Sequence, residues 1–269
     1  MTQPGALERG LGAGRRALVT GASSGIGEAF ARRLAREGYD LTLVARRRAE
    51  LERLAETIGK RHVAAVDILV ADLTQDADLL AVEERLATDE QLALLVNNAG
   101  TGTVGAFAEI EAQRVDADVR LNVLALTRLA RAALPGMIAR GSGALIQVSS
   151  MAAFSAGPWQ ATYPATKAYV NRLTLALHEE LRGSGVRVQA LCPGFTRTAF
   201  QAHAGVEASR VPEWLWMEPD EVVDASLRAL GEGRAICIPG RLNRLLAVLQ
   251  RGLPERLVAR VSGALTRAR

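Results

Sequence analysis

Several things are scarce in this 269-residue chain, and each scarcity excludes something. It has two cysteines, Cys192 and Cys237, each in an apolar, strand-like run. They are too few for a disulfide scaffold and read as small buried hydrophobes, which fits a reducing cytoplasm. Aromatic residues are 4% of the total and the formal net charge is a modest +4. That charge is unevenly placed: eight arginines from Arg234 onward meet only Glu255, so the tail carries +7 and the rest −3. A slightly acidic body short of stacking rings argues against a nucleic-acid face. The longest uncharged stretch, Gly141 to Thr166, is broken by Gly, Ser, Gln and Pro, so no membrane-spanning run of about 20 apolar residues is expected. The opening MTQPGALERG lacks the apolar stretch of a secretory signal, so residues 1–14 are expected to be a flexible leader and the protein soluble and cytoplasmic.

The positive feature is alternation. Short β-branched or leucine-rich runs (RALVT, LTLVA, VDILVADL, LALLVNNAG, ALIQVSS, VRVQALCPG, AICIPG) alternate with amphipathic stretches at 28–37, 49–58, 76–87, 117–134 and 165–181. This implies right-handed crossovers and an α/β fold, a doubly wound parallel sheet of Rossmann type covered on both faces. No repeat, low-complexity tract or linker divides it, so residues 15–240 are expected to form a single domain, with 241–269 a basic helical tail. Ligands on such a sheet bind beyond the carboxyl ends of the strands, where the informative residues fall.

After the first strand comes Thr20-Gly-Ala-Ser-Ser-Gly25-Ile-Gly27, then a helix. Glycines there permit a tight turn and let backbone amides approach a pyrophosphate, whose charge the helix N-terminus favours. About twenty residues on, where an NAD-binding unit places an acid for the ribose, the chain has Arg46-Arg47-Arg48. Arginines at a helix start oppose the macrodipole, so an anion is expected there, the 2′-phosphate of NADP, clamped by Arg46 and secondarily Arg47. Asp72, after the third strand, is placed to accept from an adenine amino group. Asn97-Asn98-Ala99-Gly100 ends the fourth strand with small residues over which a dinucleotide can pass, though turn chemistry alone would also explain both motifs.

The chain has only two lysines against three tyrosines, yet Tyr163 and Lys167 are four apart in TYPATKAYV, on one face of a helix whose first turn can hold Pro164. Hydride reduction of a ketone leaves an alkoxide that needs a proton, and a phenol with a pKa near 10 is a poor source or sink at neutral pH unless a neighbouring ammonium favours the phenolate. Ser150 ends the fifth strand and can hold the substrate oxygen, or simply cap a turn. Asn122, a polar break in the helix RLNVLAL, can hold a water for proton delivery, or be a satisfied buried amide.

The set TGASSGIG, Asp72-Leu73, NNAG, Asn122, Ser150, YPATK and PGFTRT resembles the short-chain dehydrogenase/reductases over residues 15–240. The resemblance implies that Tyr163 is the general acid/base, that Lys167 lowers its pKa and binds the nicotinamide ribose, that Ser150 orients the carbonyl and that Asn122 supports the relay water. It implies cofactor contacts from Gly21, Ser23, Ser24, Gly25, Ile26, Gly27, Asp72, Leu73, Asn98, Ala99, Gly100, Tyr163 and Lys167. Pro193, Gly194, Thr196 and Thr198 would hold the nicotinamide end. The position before Gly25, basic in many NADP-using members, is Ser24, which leaves NADP preference to the arginines. The expected activity is NADP(H)-dependent interconversion of a carbonyl and an alcohol, without a metal, in a homodimer or homotetramer. The alternatives are an NAD-dependent alcohol dehydrogenase and a catalytically idle dinucleotide-binding scaffold.

Phe200, His203, Trp214, Trp216 and Met217 fall where the family places its substrate lid, which points to a lipophilic substrate. In the tail, Leu242, Leu245, Leu246 and Leu249, then Leu257, Val258, Val261 and Leu265, fit two amphipathic helices parted near Pro254. Packing against protein, or weak contact with an anionic membrane surface, would each use such a stripe.

Overall fold

The computed structural model describes residues 15–200, 204, 211–252, 256, 258 and 260. The leader, His203 and most of the second tail helix lie outside the described residues.

The β-branched and leucine-rich runs form strands β1 (Arg16–Thr20), β2 (Asp40–Ala45), β3 (Val66–Val70), β4 (Leu92–Asn97), β5 (Gly143–Val148), β6 (Val186–Leu191) and β7 (Ile236–Cys237). All pairings are parallel, in the order β3-β2-β1-β4-β5-β6-β7, so the strand order reverses between β1 and β4. The crossovers carry α1 (Gly25–Arg36), α2 (Arg48–Gly59), α3 (Asp76–Thr88), α4 (Ala112–Val119), α5 (Leu126–Ala139), α6 (Thr162–Glu180) and α7 (Pro219–Gly231), followed by α8 (Arg241–Gly252). A π-helical segment, Arg120–Ala125, joins α4 to α5.

The pleat divides the core between two faces. Ala17 and Val19 pack with Phe30, Leu34, Leu51, Leu54, Val222 and Leu227 of α1, α2 and α7. Leu18, between them in sequence, packs instead with Leu79, Val82, Leu129 and Met137 of α3 and α5. The continuous helical run Ala112–Ala139 is long and apolar enough to cross a membrane by composition. Its apolarity has a nearer cause, because Leu126, Leu129, Ala130, Ala133, Leu134 and Met137 are buried against the sheet and α3.

Helix α8 does not bury the stripe that the spacing predicts. Asn243 and Ala247 face inward, at 8% and 1% exposure, whereas Leu245, Val248 and Leu249 are more than half exposed. The inward face packs against the 3-10 turn Met151–Phe154 at the end of β5, so the tail touches the edge where the motifs meet.

Candidate active site

The glycine turn lies beside the β1/β4 reversal. Gly21 and Gly25 take φ of +64° and +59°, values that burden any residue with a Cβ. Gly27 is constrained by space: a Cβ there would lie 2.3 Å from the Gly21 carbonyl oxygen and 2.5 Å from Asn98 Nδ2. Asn98 closes the turn by donating to the carbonyls of Thr20 (2.9 Å) and Gly21 (3.2 Å). The hydroxyl of Thr20 accepts from the amides of Asn98 and Ala99, both at 3.0 Å. Ser24 caps α1 without a side-chain bond to the first-turn amides, so those donors and the positive helix end make a place for an anion. Ile26 packs half-buried on the core, and the Leu73 side chain is buried in the opposite cluster.

The three arginines separate. Arg47, the N-cap of α2, donates to the hydroxyls of Ser23 and Ser24, both at 2.9 Å. Arg46 is exposed and lies 3.9 Å from Asp72 Oδ2, while Arg48 faces Glu52 along its own helix. Arg46 lies toward Asp72, and Arg47 is thus the cation against the glycine turn. It supplies in space the positive charge that Ser24 does not supply in sequence. Asp72 Oδ1 accepts from the amide and hydroxyl of Thr74, which leaves the other edge of the carboxylate toward Arg46.

The opposite side of the reversal carries the chemistry. Tyr163 and Lys167 lie one turn apart on α6, with Pro164 between them in its first turn. Lys167 is 3% exposed; its Nζ donates to the Val148 carbonyl (2.9 Å) and lies 5.7 Å from the Tyr163 ring centroid. Ser150 caps the Met151–Phe154 turn by accepting from Ala152 N–H (3.1 Å). Asn122 sits inside the π segment and is fully engaged. It donates to Thr101 O (2.7 Å) and Thr166 Oγ1 (3.1 Å), and its Oδ1 accepts from Thr101 N–H (3.0 Å). Gly100 lies against this pair, since a Cβ there would meet Asn122 Oδ1 at 3.0 Å and Lys167 Nζ at 3.3 Å.

The electrostatics differ from the sequence expectation. Burial pushes the Tyr163 phenol up to about 12, with the Ser150 hydrogen bond opposing and the Asp118 and Cys192 charges adding to the rise. Burial likewise pushes the Lys167 ammonium down to about 8. The ammonium-lowered phenol does not appear in this structure: Lys167 spends its hydrogen bond on Val148, and desolvation dominates both groups.

The segment after β6 links the two ends. Pro193 O accepts from Met151 N–H beside Ser150, and the Thr196 hydroxyl donates to Gly194 O at 3.1 Å. The Thr198 methyl would lie 2.8 Å from a Cβ on Gly25, so the segment reaches the glycine turn. Gly194 is pressed by the tail, where a Cβ would meet Asn243 Nδ2 at 2.6 Å. Phe200 stacks obliquely on Tyr163 at 5.4 Å, and Phe195 on Trp216 at 5.7 Å. A polar cleft of about 370 Å³, lined by Thr74, Asp76, Gln113 and Arg120 among others, includes none of the four chemical residues.

Sequence reasoning missed the supports of this site. Thr166 accepts from Asn122 and donates to Tyr163 O, and the Ser149 hydroxyl donates to Lys167 O. Trp159, four residues before Tyr163, is the one described non-glycine residue with positive φ, at 68°. Only Thr166, one residue before Lys167 in the motif, stands where a signal could have been read.

A family model described as short chain dehydrogenase matches residues 15–208. The chain belongs to the short-chain dehydrogenase family. This short-chain dehydrogenase is 34% identical over 239 residues to the oxidoreductase UcpA of Escherichia coli, covering 88% of this chain and 87% of that one. The solved structure of a short-chain dehydrogenase from Sphingobium yanoikuyae in complex with NADPH is 40% identical, with a TM-score of 0.82 over 88% of this chain and 94% of the other. An alcohol dehydrogenase from Comamonas testosteroni specific for bulky-bulky ketones is 37% identical, with a TM-score of 0.77 over 88% and 92%. As a short-chain dehydrogenase, the protein is an NAD(P)-dependent oxidoreductase acting on CH–OH groups.

Proposed function

We propose that this short-chain dehydrogenase is an NADP(H)-dependent carbonyl reductase working reversibly on a lipophilic ketone or secondary alcohol, with Tyr163 as general acid/base. The observation that carries the reading is Tyr163 on α6 with the buried Lys167 one turn away, its Nζ 5.7 Å from the Tyr163 ring centroid, at the sheet edge that also holds the glycine turn. The bound nicotinamide supplies or accepts the hydride. Ser150 holds the substrate oxygen. Tyr163 gives that oxygen its proton in reduction and takes it back in oxidation. Burial keeps the phenol protonated across the neutral range. Asn122 holds the 100–101 backbone beside Lys167 and supports the relay water from there.

NADP preference rests on Arg47. A planar guanidinium already bonded to two serine hydroxyls beside an uncapped helix end suits a phosphate monoester, and no acid stands among residues 46–48 to favour a bare ribose. A lipophilic substrate is supported by Phe200 on Tyr163, by the Phe195–Trp216 pair and by likeness to the bulky-ketone enzyme. Nicotinamide fluorescence titrations test the cofactor reading: NADPH should bind at least tenfold more tightly than NADH, and equal affinities overturn it. Ketones of increasing length should show a falling KM, whereas flat selectivity overturns the lipophilic assignment.

We further infer a homodimer or homotetramer, supported by Val119 and Leu124 of the α4–α5 run and Tyr169 of α6, which stand exposed, and a cytoplasmic location, supported by the two free, buried cysteines. Light scattering that finds a monomer overturns the oligomer. The outward leucines of α8, flanked by exposed Arg241 and Arg244, support weak contact with anionic membrane. Vesicle flotation without binding at low salt removes that contact.

A further inference from the structure

The tail meets the cofactor edge at one polar side chain. Asn243 and Ala247 are the buried residues of α8 among those described. Ala247 is apolar, as a packing face requires. Asn243 is a carboxamide in the first turn of the helix, 8% exposed, while Leu245, Val248 and Leu249 stand outward. Burying an amide costs free energy unless it is bonded, so its partners say what it is for.

Asn243 Nδ2 donates to the Pro239 carbonyl (2.9 Å), which fastens the start of α8 to the loop after β7. The same nitrogen lies 3.5 Å from Met217 Sδ. Met217 is tied in turn to the segment after β6: its amide donates to Phe195 O (2.9 Å) and its carbonyl accepts from Arg197 N–H (3.0 Å). Anchored in this way, the carboxamide presses on Gly194. A Cβ on Gly194 would meet Asn243 Nδ2 at 2.6 Å, Oδ1 at 2.8 Å and Cγ at 3.0 Å, so one side chain supplies all three of its nearest contacts beyond the adjoining residues. Gly194 is not among the glycines with positive φ, so space rather than backbone conformation excludes a side chain there. Pro193 O takes the Met151 N–H (2.9 Å) and Gly194 O the Thr196 hydroxyl (3.1 Å). Residues 193–197 are thus held by the turn after Ser150, by Met217 and by the tail.

We propose that Asn243 is a positioning residue for the nicotinamide end of the cofactor: bonded to Pro239 and pressed on Gly194, it fixes the 193–197 backbone, which makes α8 part of the cofactor site. The inference rests on the reading that Pro193, Gly194, Thr196 and Thr198 hold the nicotinamide of bound NADP(H). Asn243 handles neither hydride nor proton and acts through Gly194. A carboxamide suits the place because it fills the space over Gly194 and donates to Pro239 at once, where an aliphatic side chain has the bulk without the bond.

Calorimetric titration of the full-length protein with NADPH, and with 2′-phospho-ADP-ribose, which lacks the nicotinamide, separates the two ends of the cofactor. Asn243→Ala should weaken NADPH by about five- to tenfold and the truncated nucleotide by less than about twofold. Equal losses for both ligands, or no loss for either, overturn the proposal, the first because a general loosening of the fold does not choose between the ends. Asn243→Ser removes the carboxamide but keeps a polar side chain at the helix start; it should show the same selectivity and serves where Asn243→Ala does not fold. Gly194→Ala drives a methyl into the carboxamide and should weaken NADPH by itself, yet add less than about twofold in the Asn243→Ala background, where the methyl has room. A Gly194→Ala loss of equal size in both backgrounds overturns the contact. The wild-type protein tests the underlying reading separately. If it binds NADH as tightly as NADPH, the NADP reading fails, and the same contrast between NADH and ADP-ribose still decides the role of Asn243. If it binds the full cofactor no more tightly than the truncated one, nothing grips the nicotinamide and both are overturned.

Discussion

Two helical stretches flank the chemistry and obey different rules. Helix α6 is regular over 19 residues, so spacing alone sets Tyr163 and Lys167 on one face. The α4–α5 run packs against α6, yet its register breaks in a six-residue π segment around Asn122. No proline or glycine stands in Arg120–Ala125 to announce the break. Asn122 bonds instead across the chain to Thr101 and Thr166, so the irregularity coincides with tertiary contacts. Spacing fixes the geometry of residues on a regular helix; on an irregular one it names the residue, as it does Asn122, without its partners.

The sharpest test of the regular side is Tyr163→Phe. Turnover should fall by about a thousandfold or more while NADPH binding is retained, as measured by steady-state rates and fluorescence titration; a smaller loss would detach Tyr163 from the proton transfer. On the irregular side, Asn122→Leu strands the amide and carbonyl of Thr101. Urea denaturation should show a loss of about 2–4 kcal/mol, and a change below 0.5 kcal/mol would mean that Asn122 does not hold the break.

The next test returns to α6. The Lys167 ammonium is held at about 8 in the folded chain against an ordinary value of 10.5. Its burial cost is then fully present below about 8 and gone above about 10.5. Wild-type stability relative to Lys167→Met should therefore rise between those pH values, by about 1–3 kcal/mol. Parallel denaturation curves across that window would show instead that the amine keeps its ordinary pKa. The smallest expected effect lies at the cofactor end, where Arg47→Ala should weaken NADPH by about tenfold, about 1.4 kcal/mol, and leave NADH unchanged by fluorescence titration. Equal losses for both would make Arg47 a general support of the turn.

Much of the fold was legible. The alternation of runs marks the seven strands, because a parallel sheet buried on both faces demands nearly continuous apolar segments. Helix α6 begins at Thr162 and holds Pro164 in its first turn, as the placing of Tyr163 and Lys167 on one helix face requires. The glycine turn was legible because backbone conformation and close approach allow few other residues. The contact of Arg47 with the turn was not, since only the direction in which Arg47 leaves the end of β2 brings it to Ser23 and Ser24. Nor was the inward face of α8: the spacing singled out the leucines, but Asn243 and Ala247 are the residues that pack, pressed on Gly194 and the turn after Ser150.

By itself the sequence determined the doubly wound sheet, the glycine turn, and the Tyr163–Lys167 pair with Ser150 nearby, because these rest on local periodicity and backbone geometry. Tertiary structure alone decided the π segment at Asn122, the cation that covers the turn, and the burial of Asp118, Tyr163 and Lys167 that moves their proton affinities. Those depend on which distant groups share a space and how much water is left in it, and neither quantity is carried by neighbouring residues.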